Sequence, residues 1–186
     1  GIAGVQESGK TVNCVNEGIL VADVMRYSGT VGGVVGLVYN NTAVVTVVNQ
    51  CENDGTIDVN ATEFRAVGGI VGGMTDGAAN TATTNVFKIM NCDNVGDENN
   101  KFHFTDGAYG TFHIGGIIAL AEISECVNKE DILIETANAA GTSGLDGFYL
   151  GGILGSFNAS NDSEVKNIVR KCVNSGNLSL KTSGSN

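Results

Sequence analysis

Apolar residues along this chain recur two apart rather than three or four apart. Pairs with this spacing stand at Leu20/Ala22, Ile57/Val59, Ile132/Ile134 and Leu178/Leu180. Phe102/Phe104 take the same role after an insertion placed at Asp97 to Asn100. Residues two apart share one face of a strand, whereas a helical face needs three or four. A second column stands three residues before each cysteine: Thr11, Val48, Ile89, Ile123 and Val169. Both columns are rich in β-branched residues, so the pattern predicts short strands throughout.

The strands belong to a repeat. The five cysteines, Cys14, Cys51, Cys92, Cys126 and Cys172, are each followed two residues later by an asparagine: Asn16, Asn53, Asn94, Asn128 and Asn174. Glycine comes two further on at Gly18, Gly55, Gly96 and Gly176, and Glu130 replaces it in the fourth repeat. A second motif keeps step: VGGVVG at 31–36, VGGIVG at 67–72, IGGIIA at 114–119 and LGGILG at 150–155, with GIAG at 1–4 matching its last four positions. Each repeat is expected to hold about three short strands, one at the glycine motif, one before the cysteine and one after the asparagine turn.

A unit of this size cannot bury its apolar face alone, and stacking solves that. The expected fold is all-β, a right-handed parallel β-solenoid (β-helix) of five coils of about 34–47 residues. The coils fall near 1–30, 31–66, 67–113, 114–149 and 150–186, one array without separate domains. Because GIAG enters its motif partway and the tail from Lys181 reads like a loop leading to another strand, the chain is expected to be a piece of a longer protein.

Composition sharpens the picture. Proline is absent, which suits a backbone bonded almost throughout into sheet. The formal net charge of −10 repels phosphate backbones and anionic headgroups, so nucleic acid is not an expected partner. Tyr27 to Cys51 carries no charge, but Gly32, Gly33, Gly36, Asn40 and Asn41 interrupt it, and it reads as sheet, not as a membrane-spanning segment.

With Gly33-Val34-Val35-Gly36, Gly69-Ile70-Val71-Gly72 and Gly152-Ile153-Leu154-Gly155 each paired with a downstream C-x-N-x-G, the chain resembles the GLUG-motif repeat family. The resemblance spans all five repeats, with departures at Ala119 and Glu130. It implies a β-rich module of bacterial surface or secreted proteins, found also in non-catalytic regions of immunoglobulin A metallopeptidases. It carries over no catalytic residue.

Candidate chemistry is sparse. The common offset of the cysteines points to an inward column of packed thiols, with a disulfide as the alternative for an exported chain. The asparagines are read as an amide ladder at a tight turn, where their tolerance of left-handed backbone angles would help. These ten residues are the structural set. His103 and His113 have no metal-ligand spacing, and no HExxH occurs. Asp93, Asp97 and Glu98 with Asn99 and Asn100 offer oxygen ligands, without the order of a calcium loop. Tyr27, Phe64, Phe112, Phe148 and Tyr149 could present rings to a sugar or pack at corners. No catalytic residue, metal or cofactor is expected.

The leading functional expectation is a non-catalytic extracellular or cell-surface module, a rigid spacer or adhesin segment whose partner is a host or surface protein or a glycan. The alternative is a carbohydrate-binding or carbohydrate-active β-helix, for which Glu63 and Arg65 are the nearest acid and base.

Overall fold

The computed structural model describes residues 1–24, 29–40, 44–61, 64–76, 87–96, 102–104, 112–114, 121–136, 148–155 and 168–182. Among them there is no helix, and all recorded strand pairings are parallel.

Three sheets contain a strand from every repeat. One leads into the cysteines: Lys10–Val12, Thr46–Asn49, Phe87–Met90, Ala121–Ser124 and Ile168–Arg170. The next is two residues long in each repeat and carries the asparagines: Val15–Asn16, Glu52–Asn53, Asp93–Asn94, Val127–Asn128 and Val173–Asn174. The third follows the turn: Leu20–Val24, Ile57–Ala61, Phe102–Phe104, Ile132–Thr136 and Leu178–Thr182. A four-stranded sheet enters the glycine motif at Gly29–Gly32, Phe64–Gly68, Phe112–Ile114 and Phe148–Leu150. A three-stranded sheet leaves it at Ala3–Gln6, Val35–Asn40 and Val71–Asp76. In each sheet the strands lie in sequence order, so each repeat pairs with the repeats beside it.

The expectation of about three strands per repeat is therefore corrected to four or five among the described residues, five in the second and third repeats. The glycine motif is a corner between two strands, not one strand. A Cβ on its first glycine, at Gly32, Gly68 or Gly151, would overlap the carbonyl oxygen three residues on, at Val35, Val71 or Leu154. Only a residue without a side chain allows so tight a bend. The sequence boundaries drawn at 30/31, 66/67, 113/114 and 149/150 fall inside the entering strands.

A further corner lies just before each cysteine. The left-handed backbone falls on the residue before each cysteine, at Asn13 (φ 55°), Gln50 (53°), Asn91 (52°), Glu125 (57°) and Lys171 (54°), and not on the ladder asparagines, which lie in strands. Asparagine tolerates this conformation, which fits Asn13 and Asn91; Gln50, Glu125 and Lys171 carry no such signal.

Register fixes the core. Thr11, Val48, Ile89, Ile123 and Val169 stand in line. Burial alternates along Thr46–Asn49 and Phe87–Met90, with the first and third residues buried in each. Val34, Val35, Val48, Phe87, Ile89 and Ile123 form the centre of one continuous core together with Cys51, Cys92 and Cys126. No helix among the described residues is long and apolar enough to cross a membrane.

Candidate functional site

The most concentrated polar chemistry lies inside the stack. Asn16 Nδ2 donates to Asn53 Oδ1 at 2.7 Å, Asn53 to Asn94 at 2.9 Å, Asn94 to Asn128 at 2.7 Å and Asn128 to Asn174 at 2.7 Å. Asn16, Asn53, Asn94 and Asn128 are buried, and Asn174, in the outermost repeat, is exposed. Each amide has a second hydrogen to place. Asn53, Asn128 and Asn174 give theirs to the carbonyl two residues on, at 3.2, 3.0 and 3.0 Å, and Asn16 makes the same bond at 3.5 Å. Asn16, Asn53 and Asn128 thus brace their own turn as well as the next repeat, and Asn174 braces its own turn.

The two sequence motifs meet here. A Cβ on the second glycine of the glycine motif would overlap the asparagine of the same repeat: Gly33 against Asn53, Gly69 against Asn94, Gly152 against Asn174. The glycine is small because an amide occupies the space where its side chain would go. That contact links residues about 20 positions apart and has no local signature.

Asn94 is the exception among the amides. Its Nδ2 donates to Glu130 Oε2 at 2.6 Å, across to the fourth repeat. Glu130 is buried at 3 % exposure, and its Oε1 has no hydrogen-bond partner among the described residues. Burial pushes its carboxyl up to about 7, against the lowering effect of the Asn94 bond, and the neighbouring charge of Asp131 adds to the rise. The sequence marked Glu130 only as a departure from glycine.

The cysteines are free thiols, three of them buried and Cys14 and Cys172 half-buried. The thiols of the first and fifth repeats are the more open ones. Each sulfur donates to the carbonyl two residues back, at 3.2 to 3.4 Å. Four also approach a carbonyl of the preceding repeat: Thr11 at 3.6 Å, Val48 at 3.8 Å, Ile89 at 3.7 Å and Ile123 at 3.8 Å. The hydrogen bond with the Cys126 sulfur, then burial, pushes the Cys92 thiol far up. Burial raises Cys51 and Cys172, whereas the interaction with the Cys92 thiol lowers Cys126. A thiol held protonated is a poor nucleophile and a poor metal ligand.

Charge sits outside. Glu122 joins Lys88 at 3.5 Å and Arg170 at 2.7 Å, bridging three repeats, and the Arg170 hydrogen bond holds its carboxyl below the usual range. Lys171 pairs with Glu125 at 3.0 Å and Lys129 approaches Asp93 at 3.8 Å. Among the described residues no group of three or more His, Cys, Asp or Glu could hold a metal. A cavity of about 60 Å³ beside Ile70, Cys92, Cys126 and Ile153 is far below the roughly 300 Å³ of a ligand pocket.

Other sequence candidates are placed only in part. His103 and His113 lie in strands, but their side chains fall outside the described residues, as does that of Arg65. Asp97, Glu98, Asn99, Asn100, Glu63 and Tyr27 lie outside the described residues altogether. Of the aromatics, Phe112 stands opposite Phe148, whereas Phe64 stands opposite Gly29 and Tyr149 opposite His113. In comparisons with known proteins, no family model, no curated protein and no solved structure matches the chain.

Proposed function

We propose that the chain is a right-handed β-solenoid of five coils and a non-catalytic extracellular module of a bacterial surface or secreted protein, a rigid spacer or adhesin segment. The observation that carries this reading is the strand order: in each sheet the repeats follow one another, parallel and in register. Parallel strands joined by crossovers within one sheet are overwhelmingly right-handed, which supports the hand. The use of the inward polar groups supports a mechanical role. The amides are committed to one another and to their own turns, and the thiols to backbone carbonyls. The paired glycine and C-x-N-x-G motifs support membership of the GLUG-motif repeats, and with it the surface location.

A second reading, a carbohydrate-binding β-helix, draws on the register of Phe112 with Phe148, two aromatic residues at one position in adjacent repeats of one sheet. A glycan array read beside a panel of host matrix proteins separates the two. Protein binding without glycan binding, or neither, fits the spacer or adhesin; saturable glycan binding abolished by Phe148→Ala would replace it. A panel of polysaccharide hydrolase and lyase assays tests the absence of catalysis, and turnover in any of them ends that claim.

A further inference from the structure

We infer that Glu130 is a proton-operated latch on the seam between the third and fourth repeats, closed while its carboxyl is protonated and released when it ionises. Each seam of the stack is crossed by backbone bonds along the short asparagine strands and by one step of the amide column. Between the third and fourth repeats these are Val127 N to Cys92 O at 3.0 Å, Lys129 N to Asn94 O at 2.9 Å and Asn94 Nδ2 to Asn128 Oδ1 at 2.7 Å. The second amide bonds of Asn16, Asn53, Asn128 and Asn174 end on a carbonyl of their own turn, an acceptor that does not titrate. That of Asn94 crosses the seam to Glu130 Oε2 at 2.6 Å. Of these amide bonds, it alone ends on a group that gains and loses a proton.

The site does not suit the ionised form. Glu130 is buried, and its Oε1 has no hydrogen-bond partner among the described residues. Among those residues no cation acts on it, and the charged neighbour that does is Asp131, exposed and bonded to the Asn177 backbone and side chain. On the third-repeat strand Asp93 is half-exposed and approached by Lys129 at 3.8 Å. The fifth-repeat turn sets Gly176 against the Glu130 carbonyl and brings no charge. A carboxylate held there has one donor, a like charge beside it and no water, a costly state. The cost is relieved when the side chain leaves for solvent, and the Asn94 amide then loses its second acceptor. Burial keeps the proton on through weakly acid conditions and gives it up near pH 7, so the release falls close to neutrality. Each repeat of a stack touches only its neighbours, so the loss falls on one interface and opens it ahead of the rest.

The latch needs only the parallel in-register pairing, so the surface role can fail without it. Amide hydrogen exchange of the 186-residue chain, followed residue by residue by NMR and corrected for intrinsic rates, tests it. From pH 5 to 8 the protection of Val127 and Lys129 should fall by roughly 50-fold, the linkage of a carboxyl raised from the ordinary glutamate range to about 7. The matching amides of the first seam, Glu52 and Asp54, bonded to Cys14 and Asn16, open without exposing Glu130 and should hold their protection within about twofold. Glu130→Gln keeps an acceptor oxygen for Asn94 without the titrating proton. In it Val127 and Lys129 should be as insensitive to pH as Glu52 and Asp54, and the comparison within the native chain decides the matter if the variant does not fold. Equal sensitivity at all four amides, no fall at Val127 and Lys129, or a fall that persists in Glu130→Gln would each overturn the inference.

Discussion

Glu130 Oε2 accepts a 2.6 Å hydrogen bond from Asn94 Nδ2 in the preceding repeat, and this one contact joins two irregularities of the sequence. Gly96, two residues after Asn94, takes a positive φ of 54° just before the insertion at 97–100. Asn94 makes no bond to the Gly96 carbonyl, unlike Asn53, Asn128 and Asn174, which bond the carbonyl two residues on. The carboxylate that replaces glycine in the fourth repeat supplies the missing acceptor. An insertion in one repeat is offset by a substitution in the next.

This arrangement makes stability depend on pH. The Glu130 carboxyl is raised to about 7 in the folded state, so it binds its proton more tightly folded than unfolded. Its contribution is fully present below the ordinary glutamate range and is lost as pH rises through about 7, a change of about 3 kcal/mol between pH 4 and 8. Glu122 and Asp131 are held below their usual ranges, by Arg170 and by the Asn177 backbone, and act oppositely, only at acid pH. Urea unfolding from pH 5 to 8 should show a decline in the native chain and a nearly flat profile in Glu130→Gln. Glu130→Gly, although it restores the motif, should lose about 1–2 kcal/mol at pH 5 because the Asn94 amide loses its acceptor. An equal slope in both proteins would locate the dependence elsewhere.

The amide column should be costly to break in the middle and cheap at the end. Asn53 accepts from Asn16 and donates to Asn94 and Gly55, all within a fully buried site. Asn53→Ala should destabilise by about 3 kcal/mol, because three polar groups lose partners away from water. Asn174→Ala, at an exposed site, should cost less than about 1 kcal/mol. Chemical denaturation of the two variants measures the gap, and equal costs would mean that the column does not act as a buried network.

The glycine corner makes a sharper contrast. A methyl on Gly69 would overlap the Asn94 amide, while Gly4 has open space where its Cβ would lie. Gly69→Ala should cost about 2–3 kcal/mol or prevent folding, and Gly4→Ala should lie within about 0.5 kcal/mol of the native chain. Thermal melts of both alanine variants decide it.

Thiol chemistry should follow burial. In native protein an aromatic disulfide reagent should modify Cys14 and Cys172 slowly and leave Cys51, Cys92 and Cys126 untouched. Without reductant, denatured protein should release five thiols. A count of three or one would replace the packed thiols with disulfides.

The sequence alone determined what depends on local spacing. Period-two alternation marked the strands after the turns, and the constant offset from cysteine to asparagine aligned residues 34 to 46 positions apart, which the structure joins by hydrogen bonds. Parallel, all-β pairing was legible for the same reason: identical units bury identical faces only by stacking in register. Tertiary structure decided the rest. The split of the glycine motif into two strands depends on a carbonyl packed over Gly32 and an amide over Gly33. The left-handed turn at Gln50, Glu125 and Lys171 is imposed on residues with no preference for it, because the strands on either side are held by neighbouring repeats. Glu130 read as a lost glycine until its partner, Asn94, was placed beside it. Each of these depends on which atoms stacking brings together, and no spacing along the chain encodes that.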